Sequence, residues 1–455
     1  MNTTHRLAVS VSVVFWLCGV SGVRPAAADT FRIEIDYMGI GPNEDPDQDP
    51  CQGVLADTHD HQPSQLVLDA VIQMFACQGH TLIIDLNTAN NVIPHWCVLA
   101  ADPNADCGNF FTYQSKAVPN TFAKFKAANF DHAGDPEPWH YCIFGHRQEV
   151  SDGDAEPTCI PTGSSGRADG GQNFVVTLGG KGPDNTGSEY FQAATIAHEF
   201  GHNLGLSHCG IMNCANSSDP DYVGPFVPNM PSTMSYRYQL FGLKTRMLFF
   251  GLTFDEALFK ELDYSHGRMC GLNELDLDEV RGTTMMSVDW DCFGGLENSV
   301  IQDINGGGSG WCDADFKYTW QWDYPEWSNL VDGAVLVQRG RPEDLLELER
   351  RKANQVPCID VAEWEEISNE LGLRGGGPTL EIEPCISGKN VYIGPTPFES
   401  LGTCLQAFTS VQTAHDSSPS NSVFYLVPGT YDEVGSVVLN KRGKYFCKTG
   451  AAEIR

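Results

Sequence analysis

The chain has 455 residues, 41% hydrophobic and 19% charged, enough for two to four globular domains with a sizeable core. Its 59 acidic residues against 28 lysines and arginines give a formal charge of −31. That argues against nucleic acid or an anionic membrane as partner, since both need clustered cations, and suits a soluble exported protein and divalent cations.

In chain order, residues 1–28 read as a secretory signal: Arg6, an apolar core from Leu7 to Val23, then Ala26-Ala27-Ala28 as a small-residue cleavage site. The apolar run is short for a membrane span and no other segment approaches one, so the expected product is secreted, inserts in no membrane and begins near Asp29. The bulky Trp16-Leu17 pair before Cys18 argues against a lipid anchor. Alternation predicts a strand from Phe31 to Tyr37, helical spacing a helix from Gln65 to Ala76, and an apolar run a buried strand from Thr81 to Leu86. Thr121 to Asn129 reads as a second helix, with strands at Trp139 to Gly145 and Phe174 to Leu178.

The most informative stretch follows: His198-Glu199-Phe200-Gly201-His202-Asn203-Leu204-Gly205-Leu206-Ser207-His208. On a helix, His198 and His202 share a face and can offer two nitrogens to one metal, with Glu199 beside them as a candidate base. Gly205 can turn the chain through positive φ, bringing His208 back as a third ligand. Three protein ligands leave a position open for water, the mark of a catalytic rather than a structural zinc site. Downstream, Ser232-Thr233-Met234-Ser235-Tyr236 supplies a Met-containing turn.

Beyond Tyr238, Leu240 to Leu262 reads as partly helical, followed by Asp263-Tyr264-Ser265 and an acidic stretch, Leu272 to Val280. Residues 284–340 are rich in Trp and Gly; Pro342 to Lys352 and Asp360 to Leu371 read as acidic helices, and Gly375-Gly376-Gly377-Pro378 as a linker. Strands are expected at Val391 to Ile393, Val423 to Val427 and Val437 to Leu439. The last two flank Val427-Pro428-Gly429-Thr430-Tyr431, similar to one coil of a parallel β-helix; with barely one repeat visible, a small β module is the expectation.

Strands and helices alternating ahead of the zinc helix predict an α/β (α+β) fold with a mixed twisted sheet, whose strand nearest that helix could pair with an extended peptide. The expected units are residues 29–283 as the catalytic domain, 284–378 as an extension with linker and 379–455 as a smaller β-rich module.

The combination His-Glu-x-x-His-x-x-Gly-x-x-His with a downstream Met-turn resembles the metzincin zinc metalloendopeptidases, within them secreted bacterial members. Ile35-Asp36-Tyr37-Met38, His140 to His146, Phe174 to Gly180 and Leu262 to Ser265 share the likeness, which covers roughly residues 30 to 330. It implies zinc on His198, His202 and His208, Glu199 as general base, a hydrophobic floor from Met234, and Tyr236 as the Tyr that astacin-like and serralysin-like members bring to the metal. The reaction implied is peptide-bond hydrolysis, with zinc-activated water giving its proton to Glu199 and Glu199 passing it to the leaving amine. Tyr236 would donate to the developing oxyanion. The competing reading is an inactive zinc-containing surface or matrix-binding protein whose C-terminal module carries function.

Asp289-Trp290-Asp291-Cys292-Phe293-Gly294 partly matches a calcium loop, with carboxylates at positions one and three and Gly at six, and Asp303 and Asn305 as additional ligands; the alternative is an acidic turn held by a disulfide at Cys292. His80, His95, His132 and His146 lack ligand spacing, and Gly163-Ser164-Ser165-Gly166 reads as a flexible loop. Of sixteen cysteines, fifteen remain once Cys18 leaves with the signal, so at least one is free or intermolecular. Local staples are expected at Cys97 with Cys107, Cys142 with Cys159, and Cys209 with Cys214, the last open also to a metal-ligand reading.

Overall fold

The computed structural model describes residues 29–39, 60–86, 92–94, 110–111, 121–145, 147–148, 164–179, 186–210, 212, 214, 223–243, 260–267, 269, 271–279, 288–291, 293–304, 318–321, 323–353, 379–382, 390–393, 410–418, 422–426, 429–431, 437–440, 443–446 and 452–454. The signal segment, the Cys97 and Cys107 pair, His95, His146, Cys159, Cys292, Asn305, residues 244–259, the expected helix from Asp360 to Leu371 and the Gly375 to Pro378 linker lie outside them.

The N-terminal half is a mixed α/β unit. Strand β1 (Thr30–Gly39) is followed by α1 (Gln65–Ala76), β2 (Thr81–Asp85), β3 (Val92–Pro94), β4 (Phe110–Phe111), α2 (Thr121–Asn129), β5 (His140–Gly145), β6 (Arg147–Gln148), β7 (Gly166–Ala168), β8 (Asn173–Thr177) and α3 (Glu189–Asn203). Five strands lie in the order β2-β1-β5-β8-β7, with β3 on the far half of β1 and β4 paired to β6 apart from them. All pairings are parallel except β7 against β8.

Period-two alternation sorts β1 between two cores. Phe31, Ile33, Ile35 and Tyr37 join the larger core with Cys142, Phe144, Phe174 and Val176 beneath α1 and α3. Met38 faces the other way, with Tyr141, Ile143 and Val175 against Phe122 of α2. Helix α1 buries Val67, Leu68, Val71, Met74 and Phe75, one stripe at helical spacing, and starts where the Ser64 hydroxyl accepts the Val67 N–H. Ser188 caps α3 in the same way by accepting from Phe191. The Ser64 hydroxyl also donates to Glu189 at 2.7 Å, tying the two helix starts together.

Cys142 overturns one expectation. It sits on the helix-facing side of central strand β5, paired with Ile35 on one neighbour and Phe174 on the other, fully buried as a free thiol. Its side chain packs in the core with Phe144, Phe174 and Val176 and its thiol is free, so the expected Cys142 to Cys159 staple does not form. Cys209 and Cys214 are disulfide-bonded as expected, and Cys77 is also disulfide-bonded.

After α3, strands β9 (Leu272–Asn273) and β10 (Trp320–Gln321) form a small antiparallel pair. A 3-10 turn (Glu326–Asn329), α4 (Gly333–Arg339) and α5 (Pro342–Ala353) follow. Residues 323–353, placed in a separate extension on sequence grounds, pack onto the end of α3: Val331 N–H donates to Leu204 O at 2.8 Å, and buried Arg351 donates to the carbonyls of Gly170, Asn203 and Val331.

The C-terminal residues stack as a parallel coil. Strands β11 (Asn390–Ile393), β12 (Ser422–Leu426) and β14 (Gly443–Phe446) form one parallel sheet, and β13 (Gly429–Tyr431) and β15 (Ala452–Ile454) another, with α6 (Val411–Ser417) between β11 and β12. Phe424, Leu426 and Tyr431 bury against Val411 and Ala414 of α6. The coil is thus three strands deep where the sequence reads as barely one repeat. The expected strand at Val437 to Leu439 is absent: the Gln412 side-chain amide takes both backbone groups of Val438, and Val438 and Leu439 are exposed. No helix among the described residues is long and apolar enough to cross a membrane.

Candidate metal centre

Helix α3 is buried from Tyr190 to Asn203, and its last two turns carry His198, Glu199 and His202. It ends in a Schellman motif: Leu206 N–H donates to Gly201 O and Gly205 N–H to His202 O, with Gly205 at φ 86. That reversal delivers His208. The three Nε2 atoms converge, 3.2 Å between His198 and His202, 3.2 Å between His198 and His208, and 2.9 Å between His202 and His208. Nitrogens bound about 2.05 Å from one tetrahedral ion would stand roughly 3.3 Å apart, close to this spacing.

Hydrogen bonding decides the tautomers. His198 Nδ1 donates to Thr233 O at 2.7 Å and His202 Nδ1 to Leu206 O at 3.0 Å; a carbonyl only accepts, so each Nδ1 carries the proton. Burial pushes His198 and His208 well below the ordinary imidazole range and His202 down to about 4, so the rings are neutral. Two Nε2 lone pairs therefore face each other across 3.2 Å with no proton between them. Such a contact is repulsive without a cation among them, and this trio could hold a metal ion.

Met234 is fully buried against Gly201 of α3, and its turn is held in place: Thr233 N–H donates to Asp263 O, and the Tyr264 hydroxyl to Ala197 O of α3. The Tyr236 ring lies 4.3 Å from that of His208 and 5.8 Å from that of His198. The Cys209–Cys214 disulfide closes the loop directly after His208. Glu199 turns toward the sheet edge, where a Cβ on Gly166 of β7 would stand 2.5 Å from its Oε1. Gly166, expected in a flexible loop, is thus the start of the antiparallel edge strand, and its lack of a side chain makes room for the carboxylate.

Asp289 and Asp291 do come together, joined by buried Glu279, which sequence spacing missed because it lies ten residues before Asp289. These carboxylates could hold a metal ion, and each also accepts backbone N–H groups: Glu279 from Trp290, Asp291 and Glu297, Asp291 from Phe293, Asp289 from Gly294. Asp303 is not part of the group. His80 stacks on Trp327, and His132 stacks on Trp139 between Asp85 and Asp135. His140, which no ligand spacing marks, is buried, bonded to Asp332 at 3.0 Å and against Phe200 and Asn203.

No protein-family model, no curated protein and no solved structure matches this chain. Three neutral imidazoles facing one point suit a cation, with the Glu199 carboxylate next in sequence and edge strand β7 alongside.

Proposed function

We propose that the protein is a secreted, metzincin-like zinc endopeptidase. The observation that carries this reading is the set of three Nε2 atoms facing one point, two of them with Nδ1 committed to backbone carbonyls. All-imidazole donors favour zinc over calcium or magnesium. Zinc held there would supply Lewis acidity and bring a water's pKa to about 7.

The chain's own residues do the rest. Glu199 receives the proton at its carboxylate and delivers it to the departing amine nitrogen. Edge strand β7 pairs an extended peptide beside Glu199, and buried Tyr236 stands next to His208 to donate to the oxyanion. Calcium is the second metal of this reading, structural and held by Glu279, Asp289 and Asp291, a choice that follows from their all-carboxylate donor set. Melting in calcium buffers at constant zinc tests it: a rise in melting temperature with calcium is expected, and an unchanged value counts against it. Export, expected from residues 1–28, fits the disulfides at Cys77 and Cys209–Cys214.

The deciding experiment measures zinc content and cleavage of a peptide library by wild type and Glu199→Gln. One zinc per chain in both, with cleavage lowered about 10²–10⁴-fold in the variant, is the expected result. Equal cleavage by both proteins, or cleavage that survives exhaustive chelation, overturns the proposal.

A further inference from the structure

Glu326 lies outside the metal motif, in the 3-10 turn Glu326–Asn329, and is fully buried. One oxygen, Oε2, takes two bonds: a short one from the Ser232 hydroxyl and one of 2.7 Å from Ser265 N–H. The backbone doubles the second link, since Glu326 N–H donates to Ser265 O at 3.0 Å. Ser232 is the first residue of the turn that carries Met234, and its hydroxyl oxygen accepts Met234 N–H at 3.0 Å. Between the two stands Thr233, whose carbonyl accepts His198 Nδ1–H at 2.7 Å. Glu326 itself is braced by its neighbour Trp327, whose indole N–H donates to Asp263 and whose ring packs on Phe75 and Tyr264.

From this relay we infer that Glu326 is a positioning residue for the metal centre, setting the Thr233 carbonyl that orients His198 although it touches no ligand itself. The inference rests on the reading of the three histidines as a zinc site. A carbonyl holding the Nδ1–H of a ligating histidine fixes ring orientation and basicity, and loss of such outer partners costs about 10–100-fold in metal affinity. Without the carboxylate, Ser232 Oγ keeps only its local bond to Met234, and the turn can shift away from His198.

Zinc dissociation constants from chelator competition on the full-length protein test the relay, with the visible spectrum of the cobalt(II) form as a second readout of ligand geometry. Glu326→Ala and Ser232→Ala are each expected to weaken zinc binding at least 10-fold and to shift the cobalt bands. Glu326→Gln restores both, because a single amide oxygen can take over both bonds made to Oε2. Glu274→Ala is the control: this carboxylate is equally buried and bonds Ile304 N–H and Thr319 N–H but not the Met234 turn, so it lowers stability without moving the zinc constant. Zinc constants within threefold of wild type for both Glu326→Ala and Ser232→Ala overturn the inference, as does an equal loss in Glu274→Ala. A wild type that binds zinc and cleaves no peptide sinks the peptidase reading alone, and the same zinc constants still decide the relay. A wild type that takes up no zinc overturns both.

Discussion

A Cβ on Gly201 would fall well within van der Waals contact distance of Met234 Sδ and 3.1 Å from the Tyr264 hydroxyl. The glycine inside the histidine motif is thus a packing requirement: it lets the helix settle against Met234 while His198 reaches Thr233 O. Gly201→Ala is expected to lower stability by about 1–3 kcal/mol, the usual range for overpacking a close contact, and to weaken metal binding. Met234→Ala in the same chain should recover part of the loss, since it removes the atom in the way. Equal melting temperatures for wild type and Gly201→Ala would refute the close fit.

The bounds of the expected elements before His198 reappear almost residue for residue, because local patterns encode them: alternation in Phe31 to Tyr37, a stripe in Gln65 to Ala76, and a motif whose spacing brings His208 back past Gly205. The strand expected to be buried from Thr81 is instead β2 at the sheet edge, where Leu82 is buried and Ile83 exposed, because an apolar run does not tell a central strand from an edge one. What sequence could not supply is contact between distant segments. Glu326 to Ser232, Arg351 to Asn203 and His140 to Asp332 join residues 94, 148 and 192 positions apart, and nothing local marks these side chains as buried. Gly166 misled for the same reason: a Gly-Ser run looks like a loop until a neighbouring helix places Glu199 against it. In the C-terminal coil the failure was one of periodicity. Its rungs are separated by segments of unequal length, including α6, so no fixed repeat is visible to count.

Cys142 should be silent toward thiol reagents in the folded state. It is fully enclosed, and burial together with the Asp36 and Glu199 carboxylates pushes its thiol well above the ordinary range, leaving almost no thiolate. Peptide mapping after alkylation is expected to find Cys142 unmodified in native protein and modified once it is denatured. Rapid labelling of the native chain would contradict its placement in β5.

Arg351 anchors α5 to the end of the metal helix. Its guanidinium donates to three carbonyls, at Gly170, Asn203 and Val331, and its Nε pairs with Glu347 at 3.1 Å. Replacing it by Met keeps the apolar stem and strands those carbonyls, at an expected cost of at least about 2 kcal/mol. Because α5 and α3 share these bonds, thermal unfolding should stay a single transition, displaced downward for both. A variant that melts like wild type, or in which residues 323–353 are cleaved by protease without loss of the metal site, would show that the two parts stand apart.

The opposite face of the sheet predicts a pH dependence. Asp36 is fully buried; its Oδ2 accepts a short bond from the Tyr141 hydroxyl, and its Oδ1 has no hydrogen-bond partner among the described residues. Burial, opposed by that bond and reinforced by Glu34, Asp131 and Asp85, pushes its pKa up to about 7. Burial and Asp36 together push the Tyr141 phenol far up, so the hydroxyl remains the donor. The unfolded chain releases the Asp36 proton near pH 3.9, so between there and about 7 the native state holds a proton that the unfolded state has lost. Stability from this group is therefore full below about pH 4 and falls as pH rises toward 7, by up to about 1.4 kcal/mol per pH unit for one proton. Asp36→Asn has no proton to lose and keeps an oxygen for Tyr141. With zinc held saturating, chemical denaturation at several pH values should give a shallower decline between pH 5 and 7 for the variant than for wild type. The histidine contribution is common to both proteins and cancels in the comparison, so parallel curves would place the Asp36 pKa near its ordinary value and remove the basis for this slope.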